Sequence, residues 1–250
     1  MDIHELTSYL DEYLQIGTVP DYAPALNGLQ VENSGSVSRI AAAVDASEAS
    51  IRQAIKRGCD LMLVHHGMFW DGNQPVTQRR YRRLKQLLTG DVAVYSAHLP
   101  LDVHPEVGNN AQLARALGIQ PQGTFGKYQN IEVGVWGELN LTRETLAARL
   151  DDVLGGRVRM LAGGKEKLKR VGVITGGAGS MIIDAARAQL DSFVTGEGTH
   201  HTYFDAMESG INVYYGGHYA TETFGVKALA EHLAEKFGLE WEFIDLPTGL

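Results

Sequence analysis

RIAAAVDASEASIRQAIKRGCDLMLVHHG, residues 39 to 67, decides how the chain folds. It opens with a short apolar strand, Ile40 to Val44, and turns through small residues into an amphipathic helix. It then meets Asp60 and enters a second apolar strand, LMLV. Strand, helix-length crossover and strand make a βαβ unit. RVGVITGGAGSMIIDAARAQLDSFVTGEG, residues 170 to 198, repeats that order. Its first strand starts at Val171 and its acidic residue is Asp191. The offset is constant at 131, from 171 − 40 and from 191 − 60.

The parallel continues downstream. DVAVYSAHLPLD, residues 91 to 102, lines up with INVYYGGHYATE, residues 211 to 222, at an offset of 120. The longer connection in the first half, GMFWDGNQPVTQRRYRR, absorbs the difference. A helix with a glycine near its end follows each stretch: NNAQLARALGI and FGVKALAEHLAEKFGL. The order of patterns predicts two related α/β domains from an internal duplication. Polar and turn residues cluster in PQGTFGKYQN, 121 to 130, which places the boundary there. The expected domains are therefore 1–125 and 126–250, with the last strand, WEFIDLP at 241–247, able to pack back on the first. Around them, a helix is expected over 2–16, a short strand after DYAPALNGLQV (21–31), a strand at IEVGVWGEL (131–139), and a helix over 142–155 capped by Thr142.

Composition bounds the function. The chain has 250 residues and a formal net charge of −8. That balance argues against a nucleic-acid footprint, which usually presents a basic face. One basic run, QRRYRRLK at 78–85, stands out. It reads first as a solvated helix face or an intersubunit contact, and second as a phosphate or nucleic-acid site. Cys59 is the single cysteine, so no intramolecular disulfide forms. The acidic, amphipathic start MDIHELTSYLDEYL lacks the features of a signal peptide, and no apolar run has the length of a membrane span. A cytoplasmic protein is the default expectation.

In open α/β sheets, ligands bind beyond the carboxyl ends of the strands. Polar residues collect at those ends here. LMLV runs into His65 and His66. AVYSA runs into His98, with Asp102 four residues on. FVT runs into Gly196 and Glu197, then His200 and His201. VYYGG runs into His218, with Glu222 four residues on. His98/Asp102 and His218/Glu222 occupy equivalent places in the repeat, and a spacing of four puts both side chains on one face of a helical turn. Imidazole with carboxylate suits a borderline divalent cation such as zinc, iron, manganese or nickel. Taken singly, each residue has a structural reading: a hydrogen-bonded histidine, a capping aspartate, a glutamate at a helix start. Taken together they suggest a metal site. Neighbouring residues on a strand splay apart, so His65 and His66 suit two ions better than one. A carboxylate such as Glu222 would bridge such a pair. A single zinc with three ligands and a water is the simpler competitor. GGAGS, 176–180, is either a tight strand-to-helix turn or a cradle of N–H groups for an anion. Met68, Phe69 and Trp70 read equally as a lid or interface and as core.

VHHG, SAHLPLD with GNNAQLARALG, TGEGTHH, GGHYATET and the early DYAPALNGLQV together resemble the Nif-three-like (NGG-one-interacting-factor-three-like) family. Its bacterial members are described as GTP cyclohydrolase 1 type 2 homologues. The resemblance spans nearly the whole chain, in its compact form. It implies two α/β domains with a dinuclear metal site in the cleft between them, and a toroidal homohexamer. It implies two divalent ions per chain, with ligands His65, His66, Asp102, His218 and Glu222. His66 and Asp102 would serve one ion, His65 and His218 the other, and Glu222 would bridge. His98 becomes a supporting residue or proton carrier, His201 a general acid or base, and Glu197 a residue orienting water or substrate.

The first functional expectation is a metal-dependent hydrolase acting on a small molecule, with GTP ring hydrolysis as the named candidate. The second is a non-enzymatic metal carrier or scaffold. The titratable residues crowded around the ligands favour chemistry. A membrane or nucleic-acid partner is not expected.

Overall fold

The computed structural model describes residues 1–70 and 72–250. In chain order the elements are α1 (Ile3–Tyr13), β1 (Gly28–Val31), β2 (Arg39–Asp45), α2 (Glu48–Lys56), β3 (Leu61–His66), α3 (Gln78–Gly90), β4 (Ala93–Ser96), α4 (Leu99–Asp102) and α5 (Asn109–Ala116). Then come β5 (Gly123–Tyr128), β6 (Ile131–Thr142), α6 (Arg143–Leu154), β7 (Arg159–Ala162), β8 (Lys167–Val173), α7 (Ile182–Arg187), β9 (Ser192–Thr195), α8 (Thr202–Ser209), β10 (Asn212–Tyr215), α9 (His218–Thr221), α10 (Thr223–Phe237) and β11 (Glu240–Phe243). The fold is α/β with two mixed sheets. No helix among the described residues is long and apolar enough to cross a membrane.

The chain forms two compact units. One holds Met1–Leu101 and Gly225–Leu246; the other holds Asp102–Phe224 and Pro247–Leu250. The division falls at Leu101 and again at Phe224, not within 121–130. Side-chain burial explains the shift. Leu113 and Ala114 from α5, with Leu117 and Ile119 just beyond it, pack among Leu146, Leu150, Val171 and Tyr214, all of the second unit. The polar stretch 121–130 is the start of a hairpin in that unit's sheet, since β5 pairs antiparallel with β6. Farther on, α10 returns to the first unit, where His232 stacks on Tyr13 at 4.4 Å and Phe237 meets Tyr9 edge-on at 5.1 Å. As anticipated, the last strand joins the first unit, with β11 parallel to β2.

The first unit's sheet has the order β1-β4-β3-β2-β11. All neighbours are parallel except β1 and β4. Its strands are nearly continuous apolar runs because helices cover both faces. Ala41, Ala43, Met62, Val64 and Val94 point into one core with Ile51 and Ala54 of α2 and Leu87 of α3. Met68 belongs to this core and Phe69 packs against it, which settles their role as packing residues. On α1, Asp11 Oδ1 accepts a 2.8 Å bond from the buried Tyr95 hydroxyl.

The second unit's sheet has the order β5-β6-β8-β9-β10-β7, with β8, β9 and β10 parallel. Successive residues face opposite cores, as strand geometry requires. Phe193 and Val213 lie on one side, while Val194 and Tyr214 lie on the other.

The duplication is visible in the hydrogen bonds. Asp60 Oδ2 accepts from the N–H groups of Ser38 and Arg39 at 2.7 and 2.9 Å. Asp191 Oδ2 accepts from Lys169 and Arg170 at 3.0 and 2.9 Å, each residue displaced by 131. Each aspartate ties the start of its first parallel strand to the start of the second. In the third strand the structural offset is 119, since Ala93 N–H bonds Asp60 O while Asn212 N–H bonds Asp191 O. His98 therefore precedes α4 while His218 opens α9, and the two histidines are one position out of step. The extra glycine in YYGGH, against YSAH, supplies the additional residue.

Asp60 also accepts from Ser38 Oγ at 2.6 Å. Burial opposes its ionisation, yet the bonds from Ser38 and Arg39 hold its carboxyl below the usual aspartate value. Asp60→Ala should cost about 1–3 kcal/mol in urea unfolding at neutral pH. A lowered folded pKa gives stability above the ordinary aspartate range that fades as pH falls through the lowered value. The gap between variant and parent should thus narrow in acid; a gap independent of pH would refute the charged-acceptor account.

Candidate metal centre

Three parallel strands of the first unit deliver a cluster at their carboxyl ends. β2 ends at Asp45, β3 ends at His65 and His66, and His98 follows β4 by two residues. One ligand atom from each of His65, His66 and His98 lies within 4.8 Å of the others. The rings of His65 and His66 are only 4.7 Å apart, centre to centre, with a tilt of 47°. The expected splay of neighbours is overcome because His66 is the strand's final residue and each ring is anchored to a different flanking strand. His65 Nδ1 is 2.9 Å from Ala97 O, beyond β4. His66 Nδ1 is 3.0 Å from Asp45 Oδ1, on β2.

His98 has the most elaborate support. Its Nδ1 lies 2.8 Å from Asp21 Oδ1. Asp21 Oδ2 accepts from Asn27 Nδ2 at 2.8 Å and from Leu99 N–H at 3.0 Å. Asn27 Oδ1 in turn accepts the His98 N–H at 2.8 Å. Burial alone would raise the Asp21 pKa. The bond and charge of His98, with Asn27 and the Tyr22 N–H, instead hold it below the ordinary value. DYAPALN is thus the brace for His98. Trp70 stands edge-on to His98 at 4.8 Å and Tyr22 lies at 5.8 Å, so two aromatic side chains flank the ring.

With Nδ1 engaged by a protein oxygen in all three histidines, Nε2 is the nitrogen suited to a metal. An outer carboxylate or carbonyl on the far nitrogen is the usual support of a metal-binding imidazole. The donor set therefore fits a divalent cation of the zinc, iron, manganese or nickel kind.

The second unit assembles a different group. His218 Nδ1 is 2.8 Å from Glu197 Oε1, and His218 Nε2 is 3.2 Å from Glu222 Oε1. The hydrogen bond to Glu222 raises the His218 pKa to about 9; burial opposes this, and Glu197 adds to it. Two carboxylates around one imidazole make a seat for positive charge. Glu222 is 3% exposed, so its charge sits almost out of water, where electrostatic effects are stronger. Asp102 is also buried. Its Oδ1 accepts from Asn109 Nδ2 at 2.9 Å and Thr175 Oγ1 at 3.4 Å. Asn110 Oδ1 takes the Thr175 N–H at 2.7 Å, so GNN holds both Asp102 and the strand end.

GGAGS is a turn, not an anion cradle. The N–H of Gly176 bonds Thr221 Oγ1, that of Ala178 bonds Thr195 Oγ1, and that of Gly179 bonds Glu197 O. Its first glycine has another task. A Cβ on Gly176 would stand 2.1 Å from Glu222 Oε1 and 3.3 Å from His218 Nε2. Glycine lets the carboxylate and imidazole approach the backbone.

Of the residues expected to do acid–base work, Glu197 is placed as a partner of His218. His201 is exposed and bonds Thr199 Oγ1 at 3.0 Å instead. His200 lies against Phe204, at 5.8 Å between ring centres. Three supporting residues escaped the sequence reading: Asp21, Asn27 and Asp45. The strand-end rule would have found Asp45, the last residue of RIAAAVD.

A family model described as Duf34/NIF3 (NGG1p interacting factor 3) matches residues 1–248. The chain belongs to the Duf34/NIF3 family. It is 43% identical over 248 residues to a Deinococcus radiodurans relative, covering 98% of this chain and 94% of that one. It is 44% identical over 256 residues to one from Pyrococcus abyssi, covering both chains fully. Both relatives are named GTP cyclohydrolase 1 type 2 homolog. A crystal structure from Thermus thermophilus superposes with a TM-score of 0.90 at 42% identity, over 100% of each chain. Family membership over this span agrees with the resemblance carried by VHHG, TGEGTHH and GGHYATET.

Gly176→Ala should lower stability by about 1–3 kcal/mol, because φ is +66° and the new Cβ meets the buried Glu222 carboxylate. Pairing it with Glu222→Ala should remove much of the steric share. Thermal unfolding of the single and double variants measures this, and strictly additive losses would refute the proposed contact.

Proposed function

We propose that the chain is a metal-dependent hydrolase that holds a pair of divalent ions with His65, His66, Asp102, His218 and Glu222. His98 joins them as a further nitrogen donor. The observation that carries the reading is the three-histidine cluster of the first unit, in which every Nδ1 is tied to a protein oxygen. The carboxylate-rich group of the second unit supplies the opposite chemistry, with the anionic oxygens that two cations need. The reading brings the two groups together at one reaction centre, as the family resemblance implies.

When bound, the ions would supply Lewis acidity and lower the pKa of a water at neutral pH. The chain's own residues have separable tasks. Asp45, Asp21 and the Ala97 carbonyl keep each ring in one tautomer and one orientation. Asn109 and Thr175 hold Asp102 in one rotamer by bonding its Oδ1. Glu197 accepts from His218 and is 54% exposed on its side chain, which leaves it open to exchange a proton with solvent. Trp70 stands edge-on to His66 and His98, and Tyr22 lies beside His98.

The relatives' name makes opening of the GTP purine ring the first reaction to test, with other cyclic amide or ester-like bonds next. The same resemblance makes a toroidal homohexamer the expected assembly.

Elemental analysis of protein purified without a metal column should find about two ions per chain. The His65→Ala, His66→Ala double variant should lose them. Glu222→Gln should abolish GTP turnover. A protein that stays metal-free after reconstitution with zinc, iron and manganese would overturn the reading. So would undiminished turnover in a Glu222→Gln variant whose metal content has fallen. Ready exchange of the ions into a weak chelator, with no turnover of any substrate, would favour a metal carrier.

A further inference from the structure

Gln30 sits where the pairing of the first unit's edge strand breaks. β1 runs antiparallel to β4, with Gly28 opposite Ser96 and Leu29 opposite Tyr95. In an unbroken ladder Gln30 would face Val94, but Val31 takes that place. Gln30 is therefore the extra residue of a β-bulge. A bulge bends its strand and re-aims a side chain, and bulges are frequent beside active sites.

The re-aimed side chain spans two segments. Its Nε2 donates to Leu26 O at 2.6 Å, and its Oε1 accepts the Met68 N–H at 2.7 Å. A primary amide offers a donor and an acceptor side by side, so a single orientation satisfies both. Each segment carries one arm of the histidine cluster. Leu26 precedes Asn27, whose Oδ1 accepts the His98 N–H, and Asp21 of the same stretch holds the His98 ring. Met68 follows His66 by two residues, with Gly67 between them. Gln30 thus ties the brace of His98 to the chain leaving His66. Gly67 leaves it room: a Cβ there would stand 2.2 Å from Gln30 Nε2 and 2.5 Å from its Oε1.

We propose that Gln30 is a positioning residue, which sets the spacing of the His66 and His98 nitrogens by clamping the Leu26 and Met68 segments together. The proposal rests on the reading of these histidines as metal donors.

The probe is cobalt(II), added to the full chain after its metal has been stripped. Gln30→Ala should bind cobalt about tenfold more weakly and shift its visible absorption bands, as loss of an outer support does at other metal sites. Gly67→Ala reaches the same clamp from the other side, since its new Cβ pushes the Gln30 amide away. It should show a similar loss, and the double variant should lose little more than either single one. Asp60→Ala is the control, because it weakens the same sheet at the opposite ends of its strands. It should lose stability with cobalt affinity and bands unchanged. Parent-like affinity and bands in Gln30→Ala would overturn the proposal. So would additive losses in the double variant, or an equal shift in Asp60→Ala, which would reduce Gln30 to general stability. A parent protein that binds no cobalt would sink the metal reading itself. The clamp is then judged in the metal-free protein by the proton contact between the His66 and His98 rings, whose centres lie 5.7 Å apart. Loss of that contact in Gln30→Ala would sustain the clamp, and its retention would overturn it.

Discussion

An imidazole serves a metal best through one nitrogen when something else fixes the other. That constraint organises the first unit. His65 leans on the Ala97 carbonyl, His66 on Asp45 and His98 on Asp21. Each support comes from a different segment, and two of the three are placed by the parallel strands. Ala97 follows β4, Asp45 ends β2, and Asp21 lies in the connection before β1. Removing the sheet order would scatter the supports, because neighbouring histidines on a strand diverge unless both rings are held from outside.

The duplication shows how a single backbone plan carries two chemistries. Asp60 and Asp191 staple the same strand starts in the two units, so the frames are alike where no chemistry occurs. The units differ at the carboxyl ends. The first carries nitrogen donors with carboxylates behind them. The second carries carboxylates around one imidazole. Glycine makes the second arrangement fit: Gly176 admits Glu222, and Gly217, at φ +92°, turns the chain into α9. In the first half the matching turn is Ala97–His98, so His98 lies one residue earlier than the repeat suggests.

Much of this was legible in the sequence because it depends on period and order. The constant offset of 131 gave the paired βαβ units, and the strand-end rule picked out His65, His66, His98, Glu197 and His218. Three things were not legible, for physical reasons. The unit boundary depends on which core buries Leu113 and Leu117, and an amphipathic helix does not say which neighbour it will face. The convergence of His65 and His66 depends on bonds to Asp45 and Ala97, far away in sequence. The brace from Asp21 and Asn27 lies in an irregular segment, where no periodicity reports a side chain's direction. His201 stands apart from these: in TGEGTHH the local turn brings it to Thr199 Oγ1.

The buried polar groups bear on why such a site exists at all. His65 and Glu222 are almost wholly inaccessible, and Asn109, Asn110 and Asp102 are buried with them. Polar and ionisable groups in such places seldom add stability; apolar residues of similar volume are often as good or better. The fold therefore carries a destabilising load at its strand ends. The Asp60 and Asp191 staples and the continuous apolar strands stabilise the opposite ends of the same sheets. A frame stabilised at one end can hold costly polar groups at the other, with their rotamers locked before any ligand arrives. Preorganisation of that kind is what makes fixed donors effective at a reaction centre, because no further ordering is required when the ligand binds.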